Sequence, residues 1–372
     1  MQFRLFILSL LISLSCFSQK YFLFIGTYTA STSKGIYVYQ FDAATGETKW
    51  LNNTDSASNP SFLTIAPDGK HVYAVNEVSR QQAGFVASYS FDASTAKLTF
   101  VNKQSSGSEN PCHISITKDG KWLVAANYTG GTLASFPVNA DGSIAPFAQH
   151  IIHTGKSVDA IRQDRPHVHS VFFSPDEKYL LTPDLGTDQI SVYQFHSKSA
   201  QPLRAANPAY FTTEPGSGPR HLCFAPNGKK LYVITEMGGF VSVFDYKNGQ
   251  ANFEQQIATH PSMYTGQPGS ADIHITPDGK FLYASNRGKE NNIAIFSVAP
   301  DGLLSSIGYE STRGEGPRNF NIDPTGNFLL VANQKTDNIE VFKINKHSGL
   351  LTHTGTTLHI PNPVCIKFFP KP

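Results

Sequence analysis

Residues Asn59–Glu77 read NPSFLTIAPDGKHVYAVNE, an apolar run, a Pro-Asp-Gly turn and a second apolar run, which is the pattern of a tight antiparallel hairpin. The pattern returns as NPCHISITKDGKWLVAANY at Asn110–Tyr128 and RPHVHSVFFSPDEKYLLTPDL at Arg165–Leu185. It returns again as GPRHLCFAPNGKKLYVITE at Gly218–Glu236, GSADIHITPDGKFLYASNR at Gly269–Arg287 and GPRNFNIDPTGNFLLVANQ at Gly316–Gln334, and NPVCIKFFPKP ends the chain as a truncated copy. Aligned on the turn, the anchors are Asp68, Asp119, Asp176, Asn227, Asp278, Thr325 and Lys371, spaced by 51, 57, 51, 51, 47 and 46 residues. A third strand-like segment follows each complete hairpin, among them GFVASYSFD, DQISVYQFH and DNIEVFKIN.

That period suits one four-stranded blade and is too long for a solenoid coil, so the chain reads as an all-β, seven-bladed β-propeller. The N-terminal segments YFLFIGTYT and GIYVYQFDAATG look like second and third strands without a first, whereas the C-terminus offers a first strand alone. Joined, they complete the last blade from both ends of the chain and leave no open sheet edge. The side-chain period agrees. Five residues before each anchor stand Leu63, Ile114, Val171, Leu222, Ile273, Phe320 and Ile366, and three before it Ile65, Ile116, Phe173, Phe224, Ile275, Ile322 and Phe368, all apolar as a packed strand face requires.

Composition supports a single large β-domain. Of 372 residues 40% are hydrophobic, 16% charged, and 29 Gly, 23 Pro, 27 Phe and 15 Tyr favour turns and strands over disorder. Thirty basic and 28 acidic residues give a net charge of +2 without a basic run, which argues against a nucleic-acid partner. At the N-terminus Arg4, the apolar Leu5–Leu14 and Cys16-Phe17-Ser18 make a cleavable signal, so residues 1–18 are set apart from a propeller domain at 19–372 and the mature chain is expected in the periplasm or medium. A lipoprotein signal at Cys16 is the lesser alternative, because Ser13 stands where a larger apolar residue is usual. No later segment has the length and apolarity of a membrane span. Cys112, Cys223 and Cys365 are too few and too scattered for a disulfide framework or a metal site and are expected as small core residues.

Strand one of a blade lines the central channel and strand two returns beside it, so the start of one and the end of the other share a face of the disc. Seven before the anchor stand Ser61, Cys112, His169, Arg220, Ala271, Arg318 and Val364, and one place later Phe62, His113, Ser170, His221, Asp272, Asn319 and Cys365. Strand two ends at Asn76-Glu77, Asn127-Tyr128, Asp184-Leu185, Thr235-Glu236, Asn286-Arg287 and Asn333-Gln334. Polar and ionisable groups thus gather at one mouth, as a site for an anionic or oxygen-rich small molecule needs. Arg220, Arg287 and Arg318 offer forked donors to carboxylate or phosphate, and His169, His113 or Glu236 could act as acid or base. The competing role for any one of these residues is a buried hydrogen-bonded tie between blades. His167 and His169 could face a metal from one strand, but no Cys or carboxylate pattern completes a ligand set.

The stretches GSGPRHLCFAPNGKKLYVITE, ADIHITPDGKFLYASNRG and GEGPRNFNIDPTGNFLLVANQKTDNIEVFKI resemble the lactonase family of seven-bladed propellers, which includes 6-phosphogluconolactonases and carboxymuconate-lactonising enzymes. The resemblance implies lactone chemistry without a required metal or other cofactor. It implies a catalytic set of His169 in HVHSVFFSPD, Arg220 in GPRH, Glu236 in YVITE and Arg287 in ASNRG. His113, His221, Asn286, Arg318, Asn319 and Asn333 are expected to bind substrate. The expected activity is hydrolysis of a small anionic sugar lactone, with a lactone or carboxylate as the only indicated partner. A muconate-lactonising cycloisomerase and a secreted, non-catalytic binding propeller are the alternatives. A secretion signal also places the chain away from the cytoplasm, where phosphogluconolactone is made.

Overall fold

The computed structural model describes residues 19–29, 32–78 and 83–372, and the expected signal at 1–18 lies outside them. Seven four-stranded antiparallel sheets stand in a ring. Their first strands are Pro60–Ile65, Pro111–Ile116, Phe172–Phe173, Pro219–Phe224, Ser270–Ile275, Pro317–Ile322 and Pro363–Pro370. The last belongs to the closing blade, where it pairs with Lys20–Thr27, which is followed outward by Tyr37–Asp42 and Thr48–Asn53. The expected seven blades and the closure from both chain ends are both present.

The sequence dictates a bend at the head of each first strand. Asn59, Asn110, Gly218, Gly316 and Asn362, each before the strand's opening residue, hold φ of 41°, 52°, 64°, 71° and 46°. Asn and Gly are the residues that tolerate this left-handed region. The Pro that follows in each case lacks an N–H and starts the strand where no ladder bond is lost. A register shift comes next: pairing jumps from Pro60 to Phe62, Pro111 to His113, Pro219 to His221 and Pro317 to Asn319. The skipped residues are Ser61, Cys112, Arg220 and Arg318. Such bulges re-aim a side chain that strict alternation would send elsewhere.

Blade three departs from the pattern. Its first strand is reduced to Phe172–Phe173, with a lone bridge from Val168 to Asp184. Pairing holds around that bridge, where the His169 N–H donates to the Pro183 carbonyl and the Leu185 N–H to the His167 carbonyl, both at 3.0 Å, and lapses at Ser170–Val171, where the Val171 N–H turns to His113 Nδ1 at 3.4 Å.

Blades pack through their apolar faces. Leu63, Ile114, Val171, Leu222, Ile273, Phe320 and Ile366 are all buried, whereas of the set three before the anchor only Ile322 is fully buried and the rest are half-buried. The strand ends near the hairpin turns rise toward the opposite rim, which exposes them. A repeated polar tie joins neighbours: Tyr73, Tyr232 and Tyr283 each donate a hydroxyl to the turn carbonyl of Gly142, Gly302 or Gly349 in the next blade, at 3.1, 2.9 and 2.7 Å. At the closure, Gly26 comes so near blade one that a Cβ there would lie 2.3 Å from the Pro60 carbonyl oxygen. Cys112 and Cys365 are buried as expected, and Cys223 is half-buried.

Deleting residues 362–372 should prevent folding, because it strips the buried Val364, Cys365 and Ile366 from the core and exposes the paired edge of Lys20–Thr27. Far-ultraviolet circular dichroism and a thermal melt check this, and a truncated chain melting like the intact one would contradict it.

Candidate active site at the channel mouth

A cavity of about 250 Å³ opens at the mouth and is lined by Tyr28, Glu77, Tyr128, Arg162, His169, Glu236, Arg287 and Arg318. Below it the channel narrows to about 10 Å³ among Ser61, Phe62, Cys112, His169, Arg220, His221, Arg318 and Asn319. Consecutive residues such as Arg220 and His221, or Arg318 and Asn319, both reach this channel because the bulge suspends the alternation of the strand. A larger cleft of about 730 Å³ between the closing blade and blade one holds Lys97 and Lys103 but no His or Arg, so the ionisable groups do not converge there.

Glu236 organises the mouth. Its Oε2 accepts from Arg220 Nε at 3.0 Å and pairs with an Arg287 guanidinium nitrogen at 2.9 Å, while Oε1 accepts from Arg162 at 2.8 Å. Burial alone would push this carboxyl up, but Arg287, Arg220 and Arg162 outweigh it and hold the group well below the usual carboxylate range. It is therefore an anion whose lone pairs are largely spent. Arg220 is only 1% exposed and also donates to the Ala271 carbonyl at 2.5 Å, a tie that fixes its plane. Arg287 is held by the Gly269 carbonyl at 2.9 Å.

Arg318 differs from these three. Its guanidinium lies over the Tyr28 ring at 5.7 Å and makes no hydrogen bond or ion pair to a described residue, while Tyr28 donates its hydroxyl to Glu77 at 2.8 Å. Arg318 thus faces the cavity with its guanidinium donors unspent among the described residues.

His169 lines both the cavity and the channel. Its Nδ1 is buried without a partner among the described residues, so Nε2 is the ring nitrogen left toward the cavity. Burial, then Arg220, His221 and Arg318, lower its pKa well below the ordinary histidine value, and the ring is neutral at pH 7.

Beneath lies a second polar layer. His221 Nδ1 donates to Asp272 Oδ1 at 2.7 Å, and Asp272 Oδ2 accepts from His274 Nε2 at 3.1 Å and from the Asn319 amide at 2.5 Å. Burial would raise the Asp272 carboxyl, yet His274 and His221 hold it well below its ordinary value. Burial and Arg220 bring His221 down to about 4, so this histidine is neutral too. His113 packs at a tilt against Phe62 with centroids 4.1 Å apart and meets His221 edge-on at 5.4 Å. His113, His221 and Asn319 thus floor the site and brace what stands above them.

Asn286 and Asn333 stand apart from the cavity. Both are fully buried: the Asn286 amide donates to the Thr259 carbonyl at 2.6 Å and to Asn292 at 2.9 Å, and the Asn333 amide donates to the Thr312 carbonyl at 2.8 Å. Asn76 and Asn127 make the same tie, to Ser58 and Ser106. At this position the chain uses Asn to bind the end of strand two to a neighbouring loop. His167 stacks on Tyr128 with centroids 4.6 Å apart, and among the described residues no group of three or more His, Cys, Asp or Glu is placed to hold a metal ion.

Sequence register missed Arg162 and Tyr28. Arg162 comes from the loop between blades two and three, where the anchor spacing lengthens to 57 residues, and that excess is the signal that could have found it.

The fold and site together define a closed propeller whose one mouth is a cationic funnel for a small oxygen-rich molecule. Residues 22–368 match the family described as Lactonase, 7-bladed beta-propeller, and the chain belongs to it. It is 41% identical over 350 residues to a 6-phosphogluconolactonase of Formosa agariphila, covering 93% of this chain and 99% of that one. A 6-phosphogluconolactonase of Bacillus subtilis is 34% identical over 355 residues, covering 94% and 98%. The solved structure of a periplasmic gluconolactonase from Pseudomonas aeruginosa superposes with a TM-score of 0.89 at 38% identity, covering 95% of this chain and all of that one.

Asn286→Ala should lower thermal stability by about 1–3 kcal/mol, the cost of orphaning a buried carbonyl and amide, and leave KM unchanged. A raised KM at an unaltered melting temperature would return Asn286 to the substrate site.

Proposed function

We propose that the chain hydrolyses a small anionic sugar lactone in the funnel, and the observation that carries this reading is the unpaired guanidinium of Arg318 beside neutral His169. Water attack on a lactone carbonyl places negative charge on its oxygen. Cations with unspent donors in a partly buried site stabilise that charge more than water does. Arg318 and the more exposed side of Arg287 meet this need.

The attacking water needs a proton acceptor. Neutral His169 is available at pH 7, whereas Glu236, gripped by three arginines, is a weak base and acts instead by fixing Arg220 and Arg287. His169 takes a proton as water's oxygen bonds to the carbonyl carbon. The same proton passes to the ring oxygen as its bond to that carbon breaks. The product is an aldonic acid, which then ionises, so each turnover releases a proton.

The relatives named 6-phosphogluconolactonase and the periplasmic gluconolactonase support this chemistry. Arg4 and the apolar run that follows support removal of residues 1–18 and a mature chain outside the cytoplasm, as in the periplasmic relative.

Acid release from glucono-δ-lactone and 6-phosphoglucono-δ-lactone tests the proposal. His169→Ala should lower kcat/KM by about 10²–10⁴-fold and Arg318→Ala by about 10²–10³-fold in folded protein. Full turnover in both variants would remove the assignment.

The pH profile is a separate check. A group whose folded pKa lies well below its free value keeps its neutral form as pH falls, so kcat/KM should stay level from pH 8 through about 6.5 and drop only in more acidic solution. An acid limb centred near 6.5 would mean that His169 is not the acceptor.

A further inference from the structure

Arg162 stands outside the repeat that places the other mouth cations. It is carried by the loop between Gln149–Ile152 and the first strand of blade three, and its backbone is fixed. Asp159 Oδ1 accepts the N–H groups of Ile161 and Arg162 at 2.9 and 2.8 Å, and buried Gln163 donates its side-chain amide to the Leu185 carbonyl at 2.9 Å. The side chain is far less confined: 44% exposed, against 11% for its partner Glu236.

Only one of its nitrogens is engaged. That nitrogen donates to Glu236 Oε1 at 2.8 Å and to the Tyr128 hydroxyl at 3.2 Å, while Nε and the other terminal nitrogen have no partner among the described residues. Water reaches the Arg162 half of this pair and screens it, so the guanidinium can exchange Oε1 for another anion at the rim. Losing it does not strand Glu236, because Arg220 and Arg287 still hold Oε2 at 3.0 and 2.9 Å. Arg220 and Arg287 have no such freedom, since each is also tied to a backbone carbonyl.

We propose that Arg162 is a specificity-determining latch: an anionic substituent on the substrate draws its guanidinium away from Glu236 Oε1, selecting charged lactones and freeing that oxygen to accept a bond from a sugar hydroxyl. The inference rests on the lactonase reading of the funnel. Phosphate is the best-matched substituent, because a planar guanidinium with idle donors can engage two of its oxygens at once. In this scheme Arg318 serves the reacting carbonyl, and Arg162 reads the far end of the molecule from the rim.

The test compares kcat/KM for 6-phosphoglucono-δ-lactone and glucono-δ-lactone in the full-length chain, in Arg162→Gln and in Arg162→Lys. Arg162→Gln should reduce the preference for the phosphorylated lactone by roughly tenfold or more, chiefly through KM, the scale of a lost charge-assisted hydrogen bond. Arg162→Lys should restore part of it. Loss on both lactones by the same factor, or an unaltered preference in both variants, overturns the latch while leaving lactone hydrolysis in place. So does a native chain that turns over only the uncharged lactone. Failure of the native chain to hydrolyse either compound overturns the latch and the lactonase reading together. Should the Gln variant melt early, the Lys variant decides, since it keeps the charge and loses the fork.

Discussion

Closure of the ring rests on one backbone ladder, in which Tyr21–Thr27 pairs with the C-terminal strand from Pro363 to Pro370. Those two segments are the farthest apart in the chain, so their pairing carries the largest loop-closure entropy in the fold, and the reward is correspondingly broad. It buries Leu23, Phe24, Ile25 and Ile366 and covers the two apolar blade faces that an open six-bladed array would expose. It also completes the mouth. Tyr28 directly follows Lys20–Thr27, and Val364 lies in the C-terminal strand, so both reach the funnel only when the closing blade is formed.

The second constraint is electrostatic. Three arginines line a space of about 250 Å³ and a fourth, Arg220, stands in the channel just below, with Glu236 and Glu77 as the carboxylates facing them, an arrangement that desolvation and mutual repulsion would disperse if nothing held it. Glu236 answers for Arg220, Arg287 and Arg162, and the Asp272 network lies one layer below. The charges are therefore layered: a buried anion with three cations, then a neutral His169 beside a cation whose donors remain free. Removing a buried partner such as Glu236 would leave Arg220 uncompensated, a loss of about 3–5 kcal/mol on the usual scale. Stability and function thus draw on the same carboxylate, and lost activity in a Glu236 variant would not by itself assign that residue a chemical role.

Much of this was legible in the sequence, and the limits of legibility have physical causes. The hairpin repeat and the orphan segments at the two ends specify seven blades and their closure, because side-chain period and turn chemistry are local properties. The mouth positions Ser61, Cys112, Arg220 and Arg318 also followed from register, since their blades repeat one bulge after an Asn-Pro or Gly-Pro step, and His169 followed from its distance to the turn. Asn286 and Asn333 show where register stops helping. They occupy the same end of strand two as Glu236 and Arg287, yet their short amides turn to a backbone carbonyl while the longer side chains one residue on or one blade away reach the axis. Side-chain length and the position of a neighbouring loop decide that, and neither is encoded in spacing.

Function gathers where the repeat is broken. Six first strands carry a regular ladder behind the bulge, but the segment that bears His169 is interrupted just after it, where the Val171 N–H turns to His113. The loop just before it is long enough to bring Arg162 across to Glu236, two blades further on. One irregular segment therefore supplies both the neutral ring at the bottom of the cavity and the exposed cation at its rim. The lengthened connection between blades two and three, outside the hairpin repeat, is what carries Arg162 to the mouth.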